Sequence, residues 1–228
     1  MSLPWQFHNI QSEQQGKMSK LTVIASIMGS LVALAGCGSK QDANKSNFQS
    51  AIQDYLNTRK GVCVMLPAKE VPFTFQKAGG FHVMNEPEKA AALVSAGLLT
   101  AKDAQVKAFI GNQMVPGVEY SLTDEGKKYL VKGGAGNVGN WDAFCGGKYK
   151  VKEVENFTQP ADMFGAKVSQ VNYLYEVDDA PNWAKVPALQ TAYPLVKHDL
   201  TGSPGDKAVL VSTSEGWMHE RLFKSKGG

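Results

Sequence analysis

The 228-residue sequence lacks the short motifs that mark the common catalytic and metal centres. It contains no HExxH, HxH or CxxC pattern, so no histidine or cysteine stands at the spacing of a metal site. It has no GxSxG elbow, and its glycine groups match neither the phosphate-binding P-loop nor the dinucleotide fingerprint. We therefore expect no cofactor and no metal, and the balance favours a protein that is not an enzyme. Catalytic residues scattered along the chain stay an alternative, because triads are often dispersed in sequence.

The sequence also has little net charge. The formal charge is only +3, and the basic residues are dispersed along the chain. Binding to nucleic acid is dominated by lysine and arginine neutralising phosphates, so we expect no nucleic-acid partner. The one local stripe, Lys148, Lys150 and Lys152, is typical of the solvated face of a strand.

No apolar run is long enough to cross a bilayer comfortably, which takes about 20 residues. The longest candidate, LTVIASIMGSLVA over residues 21–33, follows Lys17 and Lys20 and precedes the small residues of LAGC. A basic start, a short apolar run and small residues are the parts of a secretory signal. Residues 1–17 do not fit this pattern, and we interpret them as a misassigned start, with translation beginning at Met18.

The sequence Leu-Ala-Gly-Cys at residues 34–37 resembles the lipobox of bacterial lipoproteins. The resemblance implies that residues 1–36 are a signal peptide and that the Cys37 thiol carries the lipid that binds the membrane. A plain secretory signal with a chance cysteine is the alternative. By the sorting pattern of Gram-negative lipoproteins, Gly38 after the cysteine implies the outer membrane, facing the periplasm. A Gram-positive host stays open.

Cysteines are scarce, and their number suggests a pairing. Of the three in the chain, Cys37 is assigned to the lipid, which leaves Cys63 and Cys145. An even pair in an oxidising compartment predicts a disulfide. Two separate buried thiols, or a reactive Cys145 thiol beside glycines, are the alternatives.

The exported part is predicted to have a tether and two halves. Residues 37–45 are small and polar and are expected to form a flexible lipidated tether. Residues 46–132 and 141–228 are expected to form the halves, with a linker at residues 133–140, GGAGNVGN. Limited proteolysis would cut such a linker first if it is exposed.

The first half is predicted to alternate helices with short strands. Phe48, Ala51, Ile52, Tyr55 and Leu56 recur at the spacing of an amphipathic helix, and VCVML follows as a buried strand. A second helix follows Asn85 as N-cap, then two strands around a glycine turn, then a short helix capped by Thr123. This order of helix, two-stranded wing and LTDEGKKY resembles the back half of winged-helix domains. The helix that would enter DNA carries only Lys89, so the resemblance concerns shape and not DNA binding.

The second half is predicted to be an antiparallel sheet with one helix, which makes the fold class α+β. Residues 148–157 alternate imperfectly and indicate a bulge, residues 166–177 alternate at period two, and residues 207–213 form a third strand. The segment PNWAKVPALQTAY is the expected helix, interrupted or begun at Pro187.

The candidate functional residues in the predicted exported part give only weak indications of a function. The histidines His82, His198 and His219 are interpreted as ordinary surface or partly buried residues. Other candidates are explained equally well by turns, hydrogen bonds or solvated faces; they are Ser212, Thr213, Ser214, Asp178, Asp179, Glu153 and Glu155. The aromatic residues of the second half favour core packing, with a binding groove as the alternative; they are Tyr173, Tyr175, Trp183, Tyr193 and Trp217.

From the sequence we expect a membrane-anchored envelope lipoprotein with a non-enzymatic binding or accessory role. Its partners would be the membrane, through lipid on Cys37, and an envelope protein, a glycan or a small ligand. A periplasmic hydrolase with dispersed catalytic residues is the alternative.

Overall fold

The computed structural model describes residues 38–79, 86–133, 140–163 and 165–225. Residues 38–228 form one compact unit. The predicted signal peptide, Cys37, His82, Asn85 and the greater part of the predicted linker lie outside the described residues.

The chain enters the fold through a helix, α1, Lys45–Asn57. Its buried side chains are the predicted apolar stripe, which lies on one face at helical spacing. Asn44 caps the helix, because its side-chain oxygen accepts a hydrogen bond of 2.9 Å from the Asn47 amide. The amphipathic pattern therefore predicted this helix correctly.

Two small antiparallel sheets follow, each with three strands. The first has the order β1-β6-β5, with β1 Val62–Met65, β5 Leu130–Val131 and β6 Ala143–Gly146. The second has the order β2-β4-β3, with β2 Phe73–Gln76, β3 Leu99–Lys107 and β4 Met114–Leu122.

Two helices accompany these sheets, α2 Glu86–Ser95 and α3 Asp124–Tyr129. Thr123 caps α3 as predicted, with its hydroxyl accepting a hydrogen bond of 2.8 Å from the Gly126 amide. Gly97 ends the α2 region with a φ of 73°, a left-handed conformation that favours glycine.

The largest sheet is antiparallel and has five strands. They are β7 Lys148–Phe157, β8 Ala161–Met163, β9 Ala166–Asp178, β10 Gly205–Thr213 and β11 Gly216–His219. The order is β11-β10-β9-β7, and β8 also pairs with β9. The register of β7 shifts twice against β9, so the predicted bulge is present. The α+β class with antiparallel sheets is confirmed.

The remaining helices correct the prediction of a single helix in the second half. Between β9 and β10 the chain forms a 3₁₀ turn, Asn182–Lys185, then α4, Pro187–Ala192, and α5, Pro194–Leu200. Each α-helix begins with proline, which suits the first turn but disfavours a helical residue before it. The two prolines therefore divide one segment into three short pieces. A last helix, α6, Glu220–Ser225, follows β11.

Two hydrophobic cores fill the molecule. The large-sheet core lies between α1 and the five-stranded sheet and includes Phe48, Ile52, Val171, Tyr173 and Leu210. The small-sheet core unites the two small sheets with α2, α4 and α5; its most buried members are Val62, Val64, Leu93, Leu98, Phe144, Trp183 and Leu189.

Both cores cross the boundary predicted between residues 46–132 and 141–228. The helix α1 comes from the first range and packs on the sheet of the second, while β1 of the first range pairs with β6 of the second. The described chain therefore does not separate into two independently packed halves, because each half supplies an element that the other needs for burial.

The tether prediction is also corrected. Residues 39–44 do not extend freely, because Gln41 and Asp42 hydrogen-bond to the hairpin formed by β10 and β11. Their small polar side chains indicated no periodicity, but long-range hydrogen bonds fix the backbone. Among the described residues no helix combines the length and hydropathy needed to span a membrane.

Candidate functional site

The predicted pairing of Cys63 with Cys145 is present. The two residues are direct partners in the β1–β6 register, with Cα atoms 4.1 Å apart and their sulfurs at bonding distance. The disulfide closes a separation of 82 residues and joins two strands that only tertiary structure brings together. Because its sulfur is bonded, Cys145 is not available as the reactive thiol considered above.

The most connected polar cluster lies on the face of β7 and β9 beside α1 and α5. The Asp199 carboxylate of α5 accepts hydrogen bonds from the Tyr149 hydroxyl at 2.5 Å and the Tyr175 hydroxyl at 2.8 Å. His198 Nδ1 lies 3.4 Å from the same carboxylate. On the other side the guanidinium of Arg59, two residues after the end of α1, lies over the Tyr149 ring, 5.8 Å from its centroid.

This cluster holds its tyrosines protonated. Burial, with the hydrogen bond to Asp199 as the next cause, raises the pKa of the Tyr149 hydroxyl and of the Tyr175 hydroxyl well above the usual value. A phenol that stays protonated donates a hydrogen bond and does not act as a base. The arrangement therefore fastens α5 to the sheet, and the Asp199 side chain is only 17% exposed.

A second polar group lies around Tyr55 of α1, whose hydroxyl accepts a hydrogen bond of 3.1 Å from Arg59 Nη1. The His219 ring stacks on the Tyr55 ring with centroids 3.9 Å apart, and its Nδ1 accepts a hydrogen bond of 3.2 Å from the Arg221 amide. Burial lowers the pKa of His219, against a smaller opposing effect of Glu220. The neutral ring is thus the form that fits this contact.

An open groove lies where α3, the end of β9 and the loop into α4 meet. Its volume is about 800 Å³, a size typical of small-molecule sites. Both polar and apolar side chains line it; they include Tyr129, Val177, Asp179, Asn182, Lys185 and Gln190. The Gln190 side-chain amide donates a hydrogen bond of 3.1 Å to the Ala184 carbonyl.

The tip of the β3–β4 hairpin exposes large apolar side chains. Phe109 is 68% exposed, Ile110 81% and Met114 59%. The tip itself is ordered, because the Ala108 amide donates to the Gln113 carbonyl at 2.9 Å and Gly111 takes a φ of 88°. We call Phe109, Ile110 and Met114 the hairpin patch.

The hydroxyl and carboxylate candidates do not assemble into a catalytic group. The Thr213 hydroxyl donates to the Gly216 carbonyl at 2.7 Å and belongs to the β10–β11 turn. Asp178 accepts a hydrogen bond of 3.1 Å from the Asp179 amide, so this pair forms a turn after β9. Glu153 and Glu155 are exposed on β7, as are the three lysines of that strand.

The aromatic residues of the second half divide between the two cores. Tyr173, Tyr175 and Trp217 belong to the large-sheet core, while Trp183 and Tyr193 belong to the small-sheet core. The interpretation as core packing is confirmed, and the five side chains do not share one binding surface.

Sequence reasoning missed Asp199, Arg59 and the hairpin patch. Asp199 carried no signal, because its partners Tyr149 and Tyr175 come from other strands. The hairpin patch did carry one, since Phe109 and Ile110 stand directly before Gly111 in a turn, where polar residues are usual.

Within the described residues, no three histidine, cysteine, aspartate or glutamate side chains are grouped so that they could hold a metal ion. No protein family, curated protein or solved structure matches this chain. The likeness to winged-helix domains therefore stays a prediction.

Proposed function

We propose that this protein is a lipoprotein of the bacterial cell envelope that is anchored by lipid on Cys37 and binds a partner protein without catalysis. LAGC after a short uncharged run is the observation that supports the anchor. Acyl chains stabilise membrane attachment by about 0.8 kcal/mol for each buried CH₂, and two or more chains make it lasting. The proposed address is the outer membrane, on its periplasmic side.

The anchor is tested by metabolic labelling. Labelled palmitate is expected on the wild-type protein and not on Cys37→Ser, while a Ser39→Ala control keeps its label. Equal label on wild type and Cys37→Ser would contradict the assignment.

The hairpin patch is the observation that carries the binding role. Exposed apolar side chains that lie next to one another mark interaction sites. Glycan recognition needs polar groups that bond sugar hydroxyls, whereas the side chains of Phe109, Ile110 and Met114 offer none. The patch therefore suits an apolar surface on an envelope protein.

The binding role is tested by cross-linking in living cells. A photoreactive amino acid at position 110 is expected to capture a discrete partner, and Met114→Ser should weaken that product. The matched control is position 195, because Leu195 is a similarly exposed apolar residue on a different element. The same product at both positions would contradict a specific patch.

A second candidate, a periplasmic hydrolase, rests on one contact. Lys152 Nζ donates a hydrogen bond of 2.5 Å to Ser203 Oγ, a pairing in which lysine can activate a serine nucleophile. Lys152 is exposed, however, whereas lysines that act as bases are commonly desolvated. A fluorophosphonate probe that labels the wild type but not Ser203→Ala would favour the hydrolase over the binding role.

A further inference from the structure

The segment that follows the proposed lipid site is fastened to the body. The Trp217 indole nitrogen donates to the carbonyls of Gln41 at 3.0 Å and Asp42 at 3.2 Å. The Gln41 side-chain amide donates in return to the carbonyls of Thr213 at 3.3 Å and Ser214 at 3.2 Å. We call residues 39–44 the anchor segment.

The first turn of α1 holds the other side of the anchor segment. The Asn47 side-chain amide donates to the Ser39 carbonyl at 2.8 Å and to the Asp42 carbonyl at 2.9 Å. The Asp42 amide also donates to the Ser39 carbonyl at 2.9 Å, which closes a turn. The anchor segment is therefore bound from two sides, by the β10–β11 turn and by α1.

A fastened anchor segment leaves almost no free chain before the lipid. Only Gly38 separates Cys37 from Ser39, and two residues span at most about 7 Å. A flexible tether would let the body stand off from the bilayer and turn freely. Here the acyl chains would begin within about 7 Å of Ser39, the first residue of the anchor segment.

We propose that the body rests directly on the lipid surface with the β10–β11 and β8–β9 turns facing the bilayer. This inference rests on the proposed lipidation of Cys37. The two turns lie at the same end of the large sheet, because Val211 pairs with Val168 and Met163 pairs with Ala166. Met163 is 51% exposed there, an apolar side chain that suits the interface.

The charged side chains at this end of the sheet are balanced in sign. The exposed Lys167 is the register partner of the exposed Asp162, and the exposed Lys40 lies beside Gly216, which follows the exposed Glu215. Attraction to anionic headgroups grows with an excess of basic residues, which this end of the sheet lacks. Contact with the bilayer therefore does not depend on anionic lipid but follows from the short connection to Cys37.

The small-sheet core lies at the opposite end of the long strand. β9 runs thirteen residues from Ala166 to Asp178, which corresponds to about 40 Å at 3.3 Å per residue. The chain then passes directly to the 3₁₀ turn, where Lys185 is exposed. The bilayer contact is thus expected at one end of β9 and water at the other.

The test uses the full processed protein in phosphatidylcholine vesicles that contain a nitroxide-headgroup lipid. A fluorescent label is attached at Glu215→Cys, Met163→Cys or Lys185→Cys, with the native disulfide left oxidised. We expect the labels at 215 and 163 to lose most of their fluorescence and the label at 185 to keep it. Equal quenching at all three positions would overturn the inference.

Release of the anchor segment provides the matched comparison. Trp217→Phe with Gln41→Ala and Asn47→Ala removes six side-chain hydrogen bonds that hold the segment from both sides but keeps an aromatic ring against Phe48. Quenching at 215 should then fall toward the value at 185, while unchanged quenching would show that the anchor segment does not set the orientation. Intact mass is measured for every sample. A chain without acyl groups would contradict the proposed function, whereas an acylated chain with uniform quenching contradicts only the orientation.

Discussion

The elements around the two cores of this protein are held together by different interactions. In the large-sheet core, one helix covers a sheet whose β10 and β11 are joined by a tight hairpin, and Tyr149 and Tyr175 fasten α5 to its side through Asp199. In the small-sheet core, β1 pairs with β6 some 80 residues along the chain, and the Cys63–Cys145 bond joins the two strands. Ordering a long loop costs more conformational entropy than ordering a hairpin, so a covalent cross-link stabilises most where pairing is most distant.

The largest expected effect comes from breaking the link in the small-sheet core. Cys63→Ala with Cys145→Ala should lower the free energy of unfolding by about 4 kcal/mol, because a closed loop of this length is released in the unfolded chain. Urea denaturation measures the loss. Reductant should reproduce it in the wild type and leave the double variant unchanged. A variant as stable as the oxidised wild type would show that the link does not close this core.

A matched pair of truncations compares the cores directly. Leu93 of the small-sheet core and Ile52 of the large-sheet core are both fully buried. Leu93→Ala and Ile52→Ala should each cost about 3 kcal/mol, from lost transfer free energy and the cavity left behind. Hydrogen exchange then tells whether the cores open together. If Leu93→Ala exposes the amides of α1 as much as those of β1, the two cores form a single cooperative unit.

Removing the shared acceptor of the tyrosines should have a smaller effect. Asp199→Ala leaves the Tyr149 and Tyr175 hydroxyls without their carboxylate, at a cost of about 2 kcal/mol. The control adds Tyr149→Phe and Tyr175→Phe to Asp199→Ala, which removes the donors as well and should cost less than Asp199→Ala alone. Ultraviolet titration of the tyrosines supplies a second readout, because loss of the carboxylate should lower the pKa of Tyr149 and Tyr175. An unchanged titration in Asp199→Ala would contradict the network.

The smallest expected effect is a pH dependence in the large-sheet core. Since burial lowers the pKa of His219 in the folded protein, the unfolded chain binds a proton more readily. The contribution of His219 is therefore fully present above about pH 6.5 and is lost as pH falls through the folded pKa. Thermal unfolding of the wild type and His219→Gln between about pH 5 and pH 7.5 measures it. Parallel profiles for the two proteins would exclude His219 as the cause.

Local patterns predicted most of the individual elements. The spacing of Phe48 to Leu56 indicated α1, the alternation from residue 166 indicated β9, and Thr123 marked the start of α3. These signals are local because helical and strand periods are set by neighbouring residues. The number of cysteines predicted the Cys63–Cys145 pairing without any geometry.

Features that depend on contacts between residues far apart in sequence were predicted less accurately. The strand AFCG was not predicted, because its partner β1 lies far away in sequence. The segment before α1 gave no sign that Trp217 would hold it. Nor could the sequence place Asp199 beside Tyr149, since that contact requires α5 to fold back across the sheet.

The sequence by itself predicted the export signal and the lipid site, and it determined the α+β class and the identity of the cysteine pair. Only the tertiary structure decided that the predicted halves share their cores, that residues 39–44 dock on the body, and that the hairpin patch remains at the surface. The physical reason is the range of the interactions. Propensity, capping and periodicity act within a few residues, whereas strand register and burial depend on which distant segments meet.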